Sequence, residues 1–207
     1  MSYQDKSLSH LAYLALEQEI ITHRLKPGQM VNERDLIALS GHGRTPVREA
    51  IQKLSWQGLI HIRPRVGLQI THIDAPDYRK IMAVRLQIEP MASRLAAEAA
   101  TAEQRAVLLS CAEAMTNAAG SGDIDRFMAA DKKFDEVVEA ACPNPFLVQA
   151  LTPLTVHARR LWFANANAEK MDLSLTLHVA IIRAIQKGDG DGADTATRRL
   201  IETLTEA

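Results

Sequence analysis

The sequence predicts a mainly α protein in two parts, an N-terminal winged helix-turn-helix followed by an all-α helical bundle. Three observations carry this expectation. Hydrophobic residues make up 47% of the 207 but aromatics only 4%, and the dominance of Ala and Leu suits packed helices better than a sandwich or barrel. Residues 8–71 run helix, helix, turn, helix, hairpin, which is the winged-helix order. From Ala75 onward the apolar spacing is helical throughout.

Apolar residues at Leu8, Leu11, Ala12, Ala15, Ile20, Ile21 and Leu25 make a first helical stripe, ended by Lys26-Pro27-Gly28. Asn32 is placed to cap a short helix through Glu33, Leu36 and Leu39, which halts near Ser40-Gly41. A further helix starts at Thr45 or Pro46, where a proline costs no hydrogen bond, and runs through Val47, Ile51 and Leu54 to Trp56 before Gly58. Leu59–Ile62 and Leu68–Thr71 read as strands flanking Arg63-Pro64-Arg65-Val66-Gly67, a hairpin with a basic tip. Helices are then expected over 75–99, 102–119, 122–141, 144–166, 170–187 and 190–205, with Pro90 kinking the first. Short connections between six such helices make a bundle. The domains are therefore drawn as 1–73 and 74–207, meeting near His72–Pro76.

The net charge of −1 conceals an asymmetry. Residues 1–73 hold nine Lys/Arg against six Asp/Glu, and residues 74–207 hold fifteen against nineteen. The excess of cations points to an anionic partner for the first part. No apolar run is long enough to span a membrane and no charged-then-apolar leader opens the chain. Two cysteines, Cys111 and Cys142, make no disulfide framework. A cytoplasmic protein is expected.

Arg44 and Arg48 stand four apart on one face at the start of a helix, with Val47, Ile51 and Leu54 on the other. A recognition helix needs this division, apolar residues fixing it to its domain while its N-terminal residues enter the major groove. Arginine suits guanine or phosphate because its planar fork donates two parallel hydrogen bonds. Thr45 and Pro46 begin the same helix, Arg34 lies on the preceding one, and Arg65 beside Gly67 forms the wing tip. Singly, these arginines would read as solubility charges. Together with the element order they predict binding to double-stranded DNA.

The residues that carry a family resemblance are now in view. Leu25-Lys26-Pro27-Gly28, Asn32-Glu33-Arg34-Asp35-Leu36, Arg44-Thr45-Pro46-Val47-Arg48-Glu49-Ala50, Leu54, Gly58-Leu59-Ile60 and Gly67 resemble the winged-helix domain of GntR-family bacterial transcription regulators. The remainder is similar to the FCD effector domain of their FadR-type branch, through Arg85-Leu86-Gln87-Ile88-Glu89-Pro90, Asp131-Lys132-Lys133-Phe134, Asn144 and His178. The resemblance implies operator contacts from Arg34, Arg44, Thr45, Arg48 and the wing around Gly67. It also implies a homodimer on a palindromic operator, released or tightened by a small metabolite. Gly43 departs from the pattern, which usually has Ser or Thr there.

In the C-terminal part, ionisable groups lie on apolar stripes. Arg85 and Glu89 share the stripe of Met82 and Ala92, Asp131 and Asp135 that of Phe127, Phe134 and Val138. His157 falls in line with Leu147, Leu151, Leu154 and Leu161, and His178 with Leu177, Ile181 and Ile185. Buried charge is costly unless paired, so a polar cavity for an effector is expected, with Arg85, Asp131, Asp135, His157 and His178 as candidates. Arg85, aided by Arg159 or Arg160, would suit a small organic acid. An internal set of salt bridges, Arg85 with Asp131 or Asp135, is the plainer reading. The resemblance further implies, in metal-binding members, an Asp, a His four residues on and two later His. These positions are Asp131, Asp135, His178 and Leu200 here, so at most three ligands remain for a divalent ion.

The expected function is a ligand-responsive DNA-binding transcription regulator, a repressor controlling a catabolic operon. A metal-dependent enzyme built on the bundle is the rival, as Asp/Asp/His ligands could activate water. It finds no nucleophile elbow, P-loop or dinucleotide fingerprint and leaves the basic winged helix unexplained. A ligand-blind architectural DNA binder is the third possibility.

Overall fold

A computed structural model describes residues 7–206. The first six residues of the predicted N-terminal domain and the last residue of the C-terminal one lie outside the described part. The chain divides into two compact units, Met1–Asp74 and Ala75–Ala207.

In the first unit, α1 (Leu8–Ile21) packs on α3 (Arg44–Trp56) beside α2 (Glu33–Ser40). The strands β1 (Met30–Val31), β2 (Ile60–Arg63) and β3 (Gly67–Ile70) form an antiparallel sheet in the order β1-β3-β2. Helix α1 stops four residues before the predicted Leu25. His23 turns left-handed at φ 54°, and the following Lys26-Pro27 disfavours helical backbone at its start. Its inward face is Ala12, Tyr13, Leu16, Ile20 and Ile21, all buried, whereas Leu8 and Leu11 are exposed. Tyr13 also takes the Lys53 ammonium over its ring at 3.8 Å and donates its hydroxyl to Gln57, tying α1 to α3. The Asn32 side chain caps α2 by accepting from the Asp35 amide at 2.9 Å, and Gly41 ends that helix at φ 69°. Leu36 is fully buried, but Leu39 of the predicted stripe is exposed. Strand β1 was not expected, because two residues are too few to show alternation.

The second unit is six helices: α4 (Ala75–Ala99), α5 (Ala102–Ser121), α6 (Ile124–Ala141), α7 (Pro145–Ala164), α8 (Ala168–Lys187) and α9 (Gly190–Glu206). Caps set their starts. Thr101 and Gln104 form a reciprocal capping box on α5, and Asp123, Asn144 and Asn167 cap α6, α7 and α8 through their side-chain oxygens, each cap contributing about 0.5–2 kcal/mol. Helix α4 lies along α9 and α7, α5 along α6 and α8, and α8 along α9. The main core joins Leu108 and Met115 of α5, Phe127 and Phe134 of α6, Ile181 and Ile185 of α8, and Leu200 of α9. The helix α4 continues through the buried Pro90. Both cysteines are buried thiols.

Candidate functional site

The N-terminal unit presents the arginines predicted to meet DNA. The α3 stripe Val47, Ala50, Ile51 and Leu54 is buried, which turns Arg44 and Arg48 outward with side chains 74% and 63% exposed. Both lean on Glu33 of α2: Arg48 Nε donates to its Oε2 at 2.7 Å and Arg44 Nε lies 3.4 Å from its Oε1. Such exposed pairs are worth at most about 1 kcal/mol, so they hold the two guanidinium groups in place without committing them. Arg34 and Thr45 are exposed and Pro46 half-buried in the first turn of α3. No side chain caps that helix, because its N-cap is Gly43; the departure from the family pattern leaves the first amides to solvent. The wing turns at Arg65, left-handed at φ 62°, and at Gly67, φ 131°, an angle that favours glycine. Between α3 and the wing runs an open groove lined by Arg48, Gln52, Arg63, Pro64 and Arg65. Arg63 joins the candidates here; in the sequence it was only part of the basic hairpin tip.

The C-terminal unit holds a cavity enclosing about 490 Å³ of space between atoms, its mouth included. Tyr78, Arg85 and Glu89 of α4, Asp131 and Asp135 of α6, Arg159 and Trp162 of α7, and Ser174 and His178 of α8 supply its polar lining. Arg159, with its side chain 7% exposed, spans the two aspartates. Its Nε donates to Asp131 Oδ2 at 2.9 Å and its Nη2 to Asp135 Oδ2. His178 Nε2 lies 3.1 Å from the other Asp131 oxygen, and its Nδ1 meets the Ser174 carbonyl at 2.8 Å, so Nδ1 carries a proton. The ring of Phe134 stands edge-on to His178 at 5.0 Å. Arg85 grips Glu89 one turn away in a bidentate pair, 2.6 and 2.9 Å. Trp162 stacks on Phe127 at 5.4 Å and keeps a buried indole N–H that finds no acceptor among the described residues.

Electrostatics sorts these groups. Burial works against the Asp131 carboxylate, but the His178 hydrogen bond and the Arg159 charge outweigh it and hold the carboxyl well below its ordinary range. Asp135 shares the same arginine, and among the described residues no second side chain is seen to hydrogen-bond it. Burial, then the charges of Asp131 and Glu89, push it up to about 7 against the pull of Arg159. Burial lowers His178, yet its hydrogen bond and charge contact with Asp131 raise it overall. Arg85 follows the same logic, burial being offset by Glu89. Asp131 is thus the fixed anion and Asp135 the carboxyl that titrates.

Two expectations need correction. Arg85 does not pair with Asp131 or Asp135; Glu89, at i+4 on its own helix, reaches it first, and Arg159 serves the aspartates. His157 does not line the cavity. The inward face of α7 is Leu151, Thr155, Ala158, Arg159 and Trp162, so His157, Leu154 and Leu161 are only half-buried beside it. Among the described residues, no group of three or more His, Cys, Asp and Glu converges as metal ligands. Arg159, Trp162 and Tyr78 were the residues sequence patterning underrated. Of the two arginines offered as aids to Arg85, Arg159 lines the cavity, and Arg160 is buried without being part of the lining.

A winged helix with an outward basic face, joined to a helical domain with a polar internal cavity, defines a DNA-binding regulator class. Residues 8–70 match "Bacterial regulatory proteins, gntR family" and residues 80–203 match the "FCD domain". The chain belongs to the GntR family of bacterial transcription regulators, in its FCD-containing branch. It is 31% identical to the "Probable D-xylose utilization operon transcriptional repressor" of Paenarthrobacter nicotinovorans, over 86% of this chain and 78% of that one. It is 30% identical to the "HTH-type transcriptional repressor NanR" of Salmonella schwarzengrund, over 97% and 84%. Among solved structures, Escherichia coli McbR/YncC superposes with a TM-score of 0.82 at 20% identity, over 95% and 94% of the two chains, a likeness of fold.

Proposed function

We propose that this regulator binds a palindromic operator as a homodimer and adjusts its affinity to a small organic acid held in the bundle cavity. Relatives named as repressors, one for D-xylose utilisation, support a repressor of a catabolic operon, acting in the cytoplasm. The exposed Arg44 and Arg48, held by Glu33 at the open end of α3, are the observation that carries the DNA-binding half. Their cargo on binding is phosphate or guanine, exchanged for a weak surface ion pair.

The cavity supports the effector half by its charge count. Arg85, Arg159 and His178 face Glu89, Asp131 and Asp135. When Asp135 takes a proton, the cluster holds one cation in excess, and an incoming carboxylate restores the balance at Arg159 or Arg85. The indole N–H of Trp162 offers a further donor to an acceptor oxygen. Fluorescence anisotropy on the DNA upstream of the chain's own gene, with and without small mono- and dicarboxylates, tests the reading. Sequence-specific binding that a carboxylate shifts at least several-fold is expected. Turnover of those acids by the protein would favour the enzyme alternative, and binding that none of them alters would favour a ligand-blind one.

A further inference from the structure

The family resemblance implies a divalent ion at the positions of Asp131, Asp135, His178 and Leu200, and the residues present do not fit one. A metal needs several lone pairs converging on one point at about 2.0–2.2 Å. Here both oxygens of Asp131 are engaged, Oδ2 by Arg159 Nε at 2.9 Å and Oδ1 by His178 Nε2 at 3.1 Å. Asp135 Oδ2 is taken by Arg159 Nη2. The fourth position brings only the hydrocarbon of Leu200, itself 2% exposed and part of the lining.

We propose that Arg159 is a covalently tethered cation standing where a metal would bind, so that this effector domain is organised without a metal. The chemistry suits the role. A guanidinium is always charged, and its planar fork donates parallel hydrogen bonds to carboxylate oxygens. It reaches the aspartates from the next helix, α7, and so joins α6 to α7 as a shared metal would. With the side chain 7% exposed, the charge is neutralised inside the protein rather than by solvent. Protonated on both ring nitrogens, His178 donates Nδ1–H to the Ser174 carbonyl and Nε2–H to Asp131, which leaves no lone pair for a metal. A dication added to this set would have to displace the guanidinium from both carboxylates, at the large cost of separating a buried cation from its anions.

The full chain, purified without a histidine tag, is analysed for bound elements and then melted with EDTA or with Zn²⁺, Ni²⁺ or Mn²⁺ alone. Wild type is expected to carry no stoichiometric metal and to melt at the same temperature throughout. Arg159→His supplies an imidazole and removes the guanidinium, and Arg159→Ala removes it only. In these variants Zn²⁺ at a hundred times its Kd is expected to raise Tm by about 5–10 °C, a shift that an added His178→Ala abolishes. Stoichiometric metal in wild type, or a wild-type Tm lowered by EDTA, overturns the assignment. So does the absence of any Zn²⁺ shift in folded Arg159 variants. If neither variant folds, the wild-type measurements decide alone. The effector and operator assays do not enter this outcome, so the two proposals fail separately.

Discussion

Removing the Glu89 carboxylate isolates a buried cation, and the size of the effect follows from the geometry. Arg85 and Glu89 side chains are 10% and 9% exposed and share two hydrogen bonds. In Glu89→Ala, Arg85 loses both charge-assisted hydrogen bonds and keeps a thioether contact to Met82 and the fields of Asp135 and Tyr78. Breaking one side of a buried pair costs about 3–5 kcal/mol, which for a domain of this size is roughly 10–20 °C in Tm. The double change Arg85→Met with Glu89→Leu removes both charges and is expected within about 1 kcal/mol of wild type, because apolar residues of similar volume replace such pairs at little cost. Trp162 lies in the bundle and the 84%-exposed Trp56 in the winged helix, and they are the only tryptophans. A Trp56→Phe background therefore lets urea unfolding of the bundle be followed by Trp162 fluorescence alone. A Glu89→Ala loss under about 1 kcal/mol would show that Arg85 is solvated through the cavity, and the reasoning about a buried ion pair would fail.

Arg48→Ala and Arg44→Ala should each weaken operator binding by about 1–3 kcal/mol while leaving Tm unchanged, as anisotropy at physiological salt would show. Asp135 sits above its ordinary range when folded, so the folded state binds the extra proton and stability falls as pH rises from about 4 toward 7. His178, raised in the folded state, adds a loss in the same direction above its unfolded value of about 6.5. Asp135→Asn should flatten the Tm–pH profile across that window and raise Tm at about pH 8 relative to wild type. Gly28→Ala should destabilise the winged helix by about 1 kcal/mol, because φ is +78°, a left-handed conformation that an L side chain strains, and the exposed His72 ring must also move aside; thermal melting of the full chain measures it. A chain of residues 75–207 alone should fold as a helical domain by circular dichroism, since its core is its own.

The helices were legible because their signals are local. The cap at Asn32 and the stop at Gly41 act within one turn of backbone, and apolar spacing registers over a few residues. The basic face of α3 was legible for the same reason, since Arg44, Val47, Arg48 and Ile51 lie on one short helix whose two sides differ in polarity. That α4, α6 and α8 turn ionisable groups inward could also be read from their stripes. Which partner each group takes could not. The inward face of α7 runs through Thr155, Ala158, Arg159 and Trp162, one residue on from the stripe through Leu154, His157 and Leu161, and apolar spacing alone does not detect such a rotation of a 20-residue helix. Whether Arg85 answers to Glu89 or to Asp131 depends on Å-scale distances between α4, α6 and α7, set when the helices pack. The same packing decides that Asp131 is doubly engaged and Asp135 singly, and so which carboxyl stays charged. Pairing inside a core is a property of three-dimensional proximity in a low dielectric, and a linear pattern records residue types but not those distances.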